Sequence, residues 1–199
     1  LIQKYIGSTS INSKLSQLGS DKWQKIKQRA KRKIDDIAVD LLRVQAKREF
    51  SNGYKFSLNN LAYDKFCSLF PYVETDDQLS TINDVISDMC SIKSMDRVVC
   101  GDVGFGKTEV ILRASFIATN NDKQVIIIVP TTVLAKQHFE TFKRRFAKYS
   151  YNIGIVTRAT SRPERLSIIE QLYNNQIHIL IGTHALLNKD FKCTDSVSY

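Results

Sequence analysis

Residues 101–108 read GDVGFGKT, the G-x-x-x-x-G-K-T pattern. Its chemistry follows from its residue types. Gly101, Gly104 and Gly106 let the backbone curl until its amide hydrogens converge on one anion, and a helix starting there adds partial positive charge. Lys107 is placed to reach the β- and γ-phosphates of a nucleoside triphosphate. The Thr108 hydroxyl is placed to join the coordination of a phosphate-bound Mg²⁺. The pattern therefore predicts a P-loop for ATP and Mg²⁺, built from Gly101, Asp102, Val103, Gly104, Phe105, Gly106, Lys107 and Thr108. Lys107 and Thr108 are its catalytic candidates. An ordinary glycine turn is the competing reading, but chance gives this string in only about one chain of this size in a hundred.

Such a loop must join a strand to a helix. The apolar run at 97–100 predicts the strand, with Cys100 as a small core residue, and 107–119 fits the helix. A further helix fits 75–91. Downstream, strands are expected at 124–129, 153–156 and 177–181, alternating with helices at 132–148 and 163–174. Buried strands alternating with helices imply an α/β fold whose parallel sheet is covered by helices on both faces. Gly101, Pro130 and Gly182 are then expected at the carboxyl ends of strands, the ligand edge of such a sheet.

Upstream the pattern changes. From Trp23 apolar residues recur at Ile26, Ala30, Ile34, Ile37, Leu41 and Val44, which predicts one long amphipathic helix ending before Asn52-Gly53. Residues 21–48 hold ten Lys/Arg and four Asp, or +6 of the chain's +9. A basic face of this kind can meet phosphates or can simply be solvated. Residues 1–20 read as the tail of a preceding module and a linker. Aromatic residues crowd 54–72 and suit a segment anchored on a larger body.

The four cysteines form no C-x-x-C pair and there are three histidines, a poor basis for zinc. The thiols read as reduced and the protein as cytoplasmic. No apolar run approaches the ~20 residues of a membrane span. The start, LIQKYIGSTS, carries neither a signal-like centre nor a Met, so the chain is expected to begin inside a longer one. His138 and His184 lack a nucleophile partner and read as core or surface residues.

Five separated blocks carry a resemblance. They are LSQLGSDKW (15–23), FCSLFPYVETDDQ (66–78), MDRVVCGDVGFGKTEV (95–110), VPTTVLAKQHFETF (129–142) and ILIGTHALL (179–187). In this order and spacing they resemble the transcription-repair coupling factors, bacterial superfamily-two DNA translocases, over residues 1–192. The related branch-migration helicase shares the motor blocks without a recognisable LSQLGSDKW-type flank. The resemblance implies a RecA-like motor lobe at 53–199, incomplete at its C-terminus. Before it come a connecting helix at 21–52 and the edge of a polymerase-interacting domain at 1–20. It implies a double-stranded DNA translocase that displaces stalled RNA polymerase and works with nucleotide-excision repair proteins in the bacterial cytoplasm. The polymerase contact itself would lie mostly outside this chain.

The resemblance also implies roles for single residues. Gln78 corresponds to an adenine-reading glutamine and Phe70 to an aromatic beside the base. Thr75-x-x-Gln78 equally spells a helix capping box. Pro130, Thr131, Thr132 and Gln137 match one DNA-backbone motif, and Gly182, Thr183 and His184 match a second. The threonines could instead cap their helices. Arg158 matches a DNA-side arginine, although the family's following aromatic is Ala159 here.

A motor of this kind needs an acidic pair after a buried strand. No apolar run after residue 108 ends in Asp-Glu, and Asp190 and Asp195 follow no predicted strand. The isolated chain is thus expected to bind ATP weakly without useful hydrolysis. A truncated nucleotide- and DNA-binding remnant is the second reading. A small P-loop phosphotransferase is the third, and it leaves Gln78, Pro130–Thr132 and Gly182–His184 unexplained.

Overall fold

The computed structural model describes residues 21–50 and 52–187. The linker reading for 1–20, and Asp190 and Asp195, lie outside the described residues. The chain divides into two units, Leu1–Phe50 and Ser51–Tyr199.

The first unit contains helix α1, Asp21–Phe50, 30 residues long. Asp21 in its first turn and Lys47 and Arg48 in its last oppose the helix dipole. Arg43 and Asp40 form an exposed ion pair at 3.6 Å, one turn apart. The predicted apolar stripe is solvent-exposed, Ile34 to 65% and Leu41 to 64%. No described helix is long and apolar enough to cross a membrane.

The second unit is the α/β lobe. Its helices are α2 (Asn60–Cys67), α3 (Asp76–Met89), α4 (Lys107–Thr119), α5 (Thr132–Arg145) and α6 (Arg162–Tyr173). Its strands are β1 (Val125–Ile128), β2 (Ile153–Val156) and β3 (Ile179–Gly182). All pairings are parallel, in the order β1-β3-β2. Alternation along β3 sorts the two faces. Ile179 and Ile181 join the larger core with Phe116 of α4 and Ala135 and Phe142 of α5. Leu180 joins the smaller core with Leu172 of α6, Val156 and Leu186. Helices therefore cover both faces, as the alternating pattern predicts.

The aromatic segment at 54–72 is anchored through Phe56 and Phe66, both buried. Phe66 stacks on Phe116 with centroids 4.4 Å apart and lies 5.0 Å from Phe146. Truncating a buried phenylalanine of this kind costs about 3–5 kcal/mol.

Four expectations need correction. Residues 97–100 form no strand. A strand needs a neighbour to take its backbone hydrogen bonds, and the described residues supply none there. Arg97 instead ties the segment to α3, its Nε donating to Asp88 at 2.6 Å and its Nη1 to Asp84 at 3.1 Å. Cys100 is exposed rather than a core residue. Gly101 consequently does not follow a strand end. Helix α5 also stops at Arg145, short of 148.

Candidate functional site

The P-loop is a tight turn running directly into α4. Gly104 and Gly106 adopt left-handed backbone angles, φ 89° and 69°, which glycine reaches without steric cost. The Phe105 N–H donates to the Asp102 carbonyl at 3.3 Å, and the Glu109 N–H to the Gly106 carbonyl at 2.9 Å. Gly106 is the N-cap of α4 and supplies no side-chain cap, so the first amides of the helix are left for another acceptor. The Lys107 ammonium folds over the loop, donating to the carbonyls of Gly101 and, at 2.6 Å, Asp102. Val103 at the turn's apex is fully exposed.

Gln78 takes the capping role and also ties helix to loop. Its Oε1 accepts from the Thr75 N–H at 3.0 Å, and the Thr75 hydroxyl accepts from the Gln78 N–H at 3.3 Å, completing a capping box on α3. Its Nε2 donates to the Phe105 carbonyl at 2.8 Å. Any Cβ at position 106 would collide with that amide. Gln78 thus fixes the loop to the start of α3, with one amide hydrogen still free to donate.

Beside the loop opens a cavity of about 560 Å³. Phe70, Tyr72, Thr108, Arg144, Arg145 and Lys148 contribute to its wall. The Phe70 ring meets Tyr72 edge-on at 5.5 Å, and the Arg145 guanidinium lies 5.6 Å from its centroid. The expected P-loop residue Thr108 and the expected base-side aromatic Phe70 therefore share one hollow.

Under this cavity lies a charged cluster that sequence reasoning missed. Glu109, Arg113 and Arg145 are all buried. Glu109 Oε1 accepts from Arg113 Nε at 2.8 Å and from Arg145 Nη2 at 2.7 Å. Arg113 Nη2 also donates to Glu74. Burial pushes the Glu109 carboxyl above its usual range, against the pull of both arginines. The hydrogen bond from Arg113 holds Glu74 below that range. The i,i+4 spacing of Glu109 and Arg113 was a readable signal. Arg145 gave none, because it closes the run Lys143-Arg144-Arg145, which looks like ordinary basic surface.

The second group of expected residues meets at the sheet. Ile128, Gly182 and Val156 are in register at the ends of their strands. The segments that follow, with Pro130–Thr132, Arg158 and His184, leave from one edge. Thr131 is the N-cap of α5, its hydroxyl accepting from the Leu134 N–H at 3.2 Å. Pro130, Gln137, Arg158 and His184 are exposed. Arg158 sits in a turn held by the Thr157 N–H donating to the Thr160 hydroxyl at 2.9 Å. Thr183 departs from expectation: it is 3% exposed, packed inside rather than offered to a ligand. Gly182 is needed for close approach, since a Cβ there would run into the Val156 carbonyl and the Leu186 side chain. Among the described residues, no group of His, Cys, Asp or Glu is arranged to hold a metal ion directly.

Residues 75–199 match the family model of the DEAD/DEAH box helicases. The chain belongs to the DEAD/DEAH box helicase family. Within that helicase family, it is 47% identical over 195 residues to the transcription-repair-coupling factor of Haemophilus influenzae, covering 98% of this chain and 17% of that protein. The factor of Bacillus subtilis is 47% identical over 189 residues, 95% of this chain and 16% of the relative. The chain thus spans about a sixth of the length of these relatives. Among solved structures, that of RecG bound to a three-way DNA junction is similar with a TM-score of 0.71 and 30% identity. It covers 77% of this chain and 21% of the other. The helicase family and this fold agree with the RecA-like α/β lobe expected from the sequence.

Proposed function

We propose that this lobe binds Mg²⁺·ATP at the P-loop and a DNA backbone at the sheet edge, as part of an ATP-dependent double-stranded DNA translocase of transcription-coupled repair. The observation that carries the reading is the left-handed Gly104–Gly106 turn opening α4 beside the cavity that holds Phe70 and Thr108. It stands in a helicase lobe nearly half identical to coupling factors.

The residues fit the ligand chemically. Gly106 leaves the first α4 amides uncapped, the natural seat of a phosphate. Lys107 already holds two carbonyls, the place from which its ammonium can turn to the β- and γ-phosphates. Thr108, half-buried on the first turn, offers the hydroxyl for the nucleotide's Mg²⁺, whose charge neutralises the phosphates. Phe70 and Tyr72 offer ring faces for a base. Gln78 keeps the loop in register and has one amide hydrogen for the base edge. At the sheet edge, Pro130–Thr132, Gln137, Arg158 and His184 are the backbone contacts. Of the second motif, Gly182 and Thr183 act by shaping the turn.

In this reading, displacement of RNA polymerase and cooperation with excision-repair proteins belong to the longer assembly, in the bacterial cytoplasm. These 199 residues supply no Asp-Glu pair after a strand, so the chain by itself binds nucleotide without useful turnover. Equilibrium binding of a fluorescent ATP analogue tests the nucleotide half, with Lys107→Ala as comparison. Equal affinity in both proteins overturns it. For the DNA half, duplex affinity should fall with salt by about 0.9 in log K per log salt for each phosphate gripped. A flat response removes DNA from the reading.

A further inference from the structure

The two candidate sites are attached to opposite ends of one helix. Helix α5 starts at Thr132, capped by Thr131, beside the sheet edge. It ends at Arg145, whose Nη2 donates to Glu109 at 2.7 Å. Glu109 follows Thr108 directly in the first turn of α4. With 14 residues, α5 holds these ends about 20 Å apart. Its body is fixed by Ala135 and Phe142, both fully buried.

The junction at the Arg145 end is unusually constrained. Arg145 is buried, bonded through Nη2, and its Nε finds no partner. The guanidinium packs over the Phe66 ring at 4.9 Å and the Phe70 ring at 5.6 Å. Glu109 is shared with Arg113, and Arg113 reaches Glu74 on the segment carrying Phe70. Formal charges in this group balance, two acids against two arginines. Removing one partner would strand the other in a poorly solvated place. The first turn of α4, the Phe70 segment and the end of α5 therefore shift together or break an ion pair.

We propose that the Glu109–Arg145 pair is a positioning pair that couples nucleotide at the P-loop to DNA at the start of α5. The coupling rests on the function proposed above. Anything that moves Thr108 moves Glu109 and drags α5 along its axis, which displaces the Thr131–Thr132 amides at the other end. By linkage the effect is reciprocal: DNA must alter nucleotide affinity by the factor that nucleotide alters DNA affinity.

The test uses the whole chain and a fluorescent ATP analogue, titrated with and without a 30-base-pair duplex. In the wild type the duplex should change analogue affinity by about 5-fold or more. In Arg145→Met the ratio should fall below about 2-fold, whatever the variant's affinity without DNA. Glu109→Gln, which keeps the shape and an acceptor but drops the charge, should give an intermediate ratio. Amide exchange in the wild type provides a readout that needs no variant: the analogue alone should slow exchange at residues 132–136. Binding of both ligands with no ratio in the wild type overturns the coupling and leaves the proposed function standing. So does a ratio that survives in both variants, or exchange at 132–136 that ignores nucleotide. A wild type that binds neither ligand overturns both.

Discussion

The proposed nucleotide end and the proposed DNA edge of the lobe are built by different means. At the nucleotide end, geometry is held by side chains: Gln78 grips Phe105, and the buried Glu109, Arg113 and Arg145 underlie the first turn of α4. At the DNA edge, geometry is held by the sheet itself. Three parallel strands end in register, and exposed residues hang from the segments beyond. The contrast teaches where each site is vulnerable. One should fail through single substitutions at buried positions, whereas the other should lose function in small, separable steps.

The largest expected effect breaks the buried group. Arg145→Met leaves Glu109 short of a partner and should lower unfolding stability by about 3–5 kcal/mol, measured by urea denaturation. A loss under about 1 kcal/mol would place this group with ordinary surface ion pairs and erase the contrast. Next comes Lys107→Ala, expected to weaken ATP binding by about 10- to 100-fold, the worth of a charged hydrogen bond, with duplex affinity in the absence of nucleotide little changed. Gly106→Ala forces a side chain into a left-handed angle and into Gln78. It should destabilise the lobe by about 1–3 kcal/mol and shift nucleotide affinity more than DNA affinity. At the other site, Thr131→Ala removes a helix cap and should cost about 1 kcal/mol, with duplex binding weakened and ATP binding intact. A reversed pattern, with Thr131→Ala hitting ATP harder than DNA, would mean the two sites are wrongly assigned.

The smallest effect concerns pH. Glu74 titrates below its ordinary value in the folded lobe because Arg113 donates to it. A carboxyl with a depressed folded pKa stabilises above the unfolded value of 4.5 and loses that contribution as pH falls through the lower folded value. The stability gap between wild type and Glu74→Gln should therefore be present at pH 7 and shrink as the solution is acidified below 4.5. A gap that widens on acidification contradicts the Glu74–Arg113 link.

How much was legible in the sequence follows the same division. Apart from the run at 97–100, the order of helices and strands after residue 75 could be read directly, because apolar runs are local signals, as is the glycine spacing of 101–108. Strand β3 and helix α6 fell within two residues of expectation. The run at 97–100 looks like a strand in sequence, yet strand formation depends on a neighbour, which local pattern does not reveal. Thr183 reads as a polar residue just past a strand, hence as a surface donor. Its burial comes from packing that the local pattern does not reveal. The Glu109 cluster stayed hidden for a related reason. Each of its members is an ordinary charge in an ordinary helix, and only packing brings a lysine-arginine-rich tail against the P-loop helix.

Gly182 carries a consequence beyond its own turn. Because it has no side chain, the central strand finishes in contact with its neighbour's last carbonyl. The close approach of the chain after β3 to the end of β2 depends on a missing methyl group. An alanine there would act as a wedge, prying the β2 and β3 ends apart, and on the function proposed here it would alter the spacing offered to a DNA backbone without replacing any residue proposed to meet it.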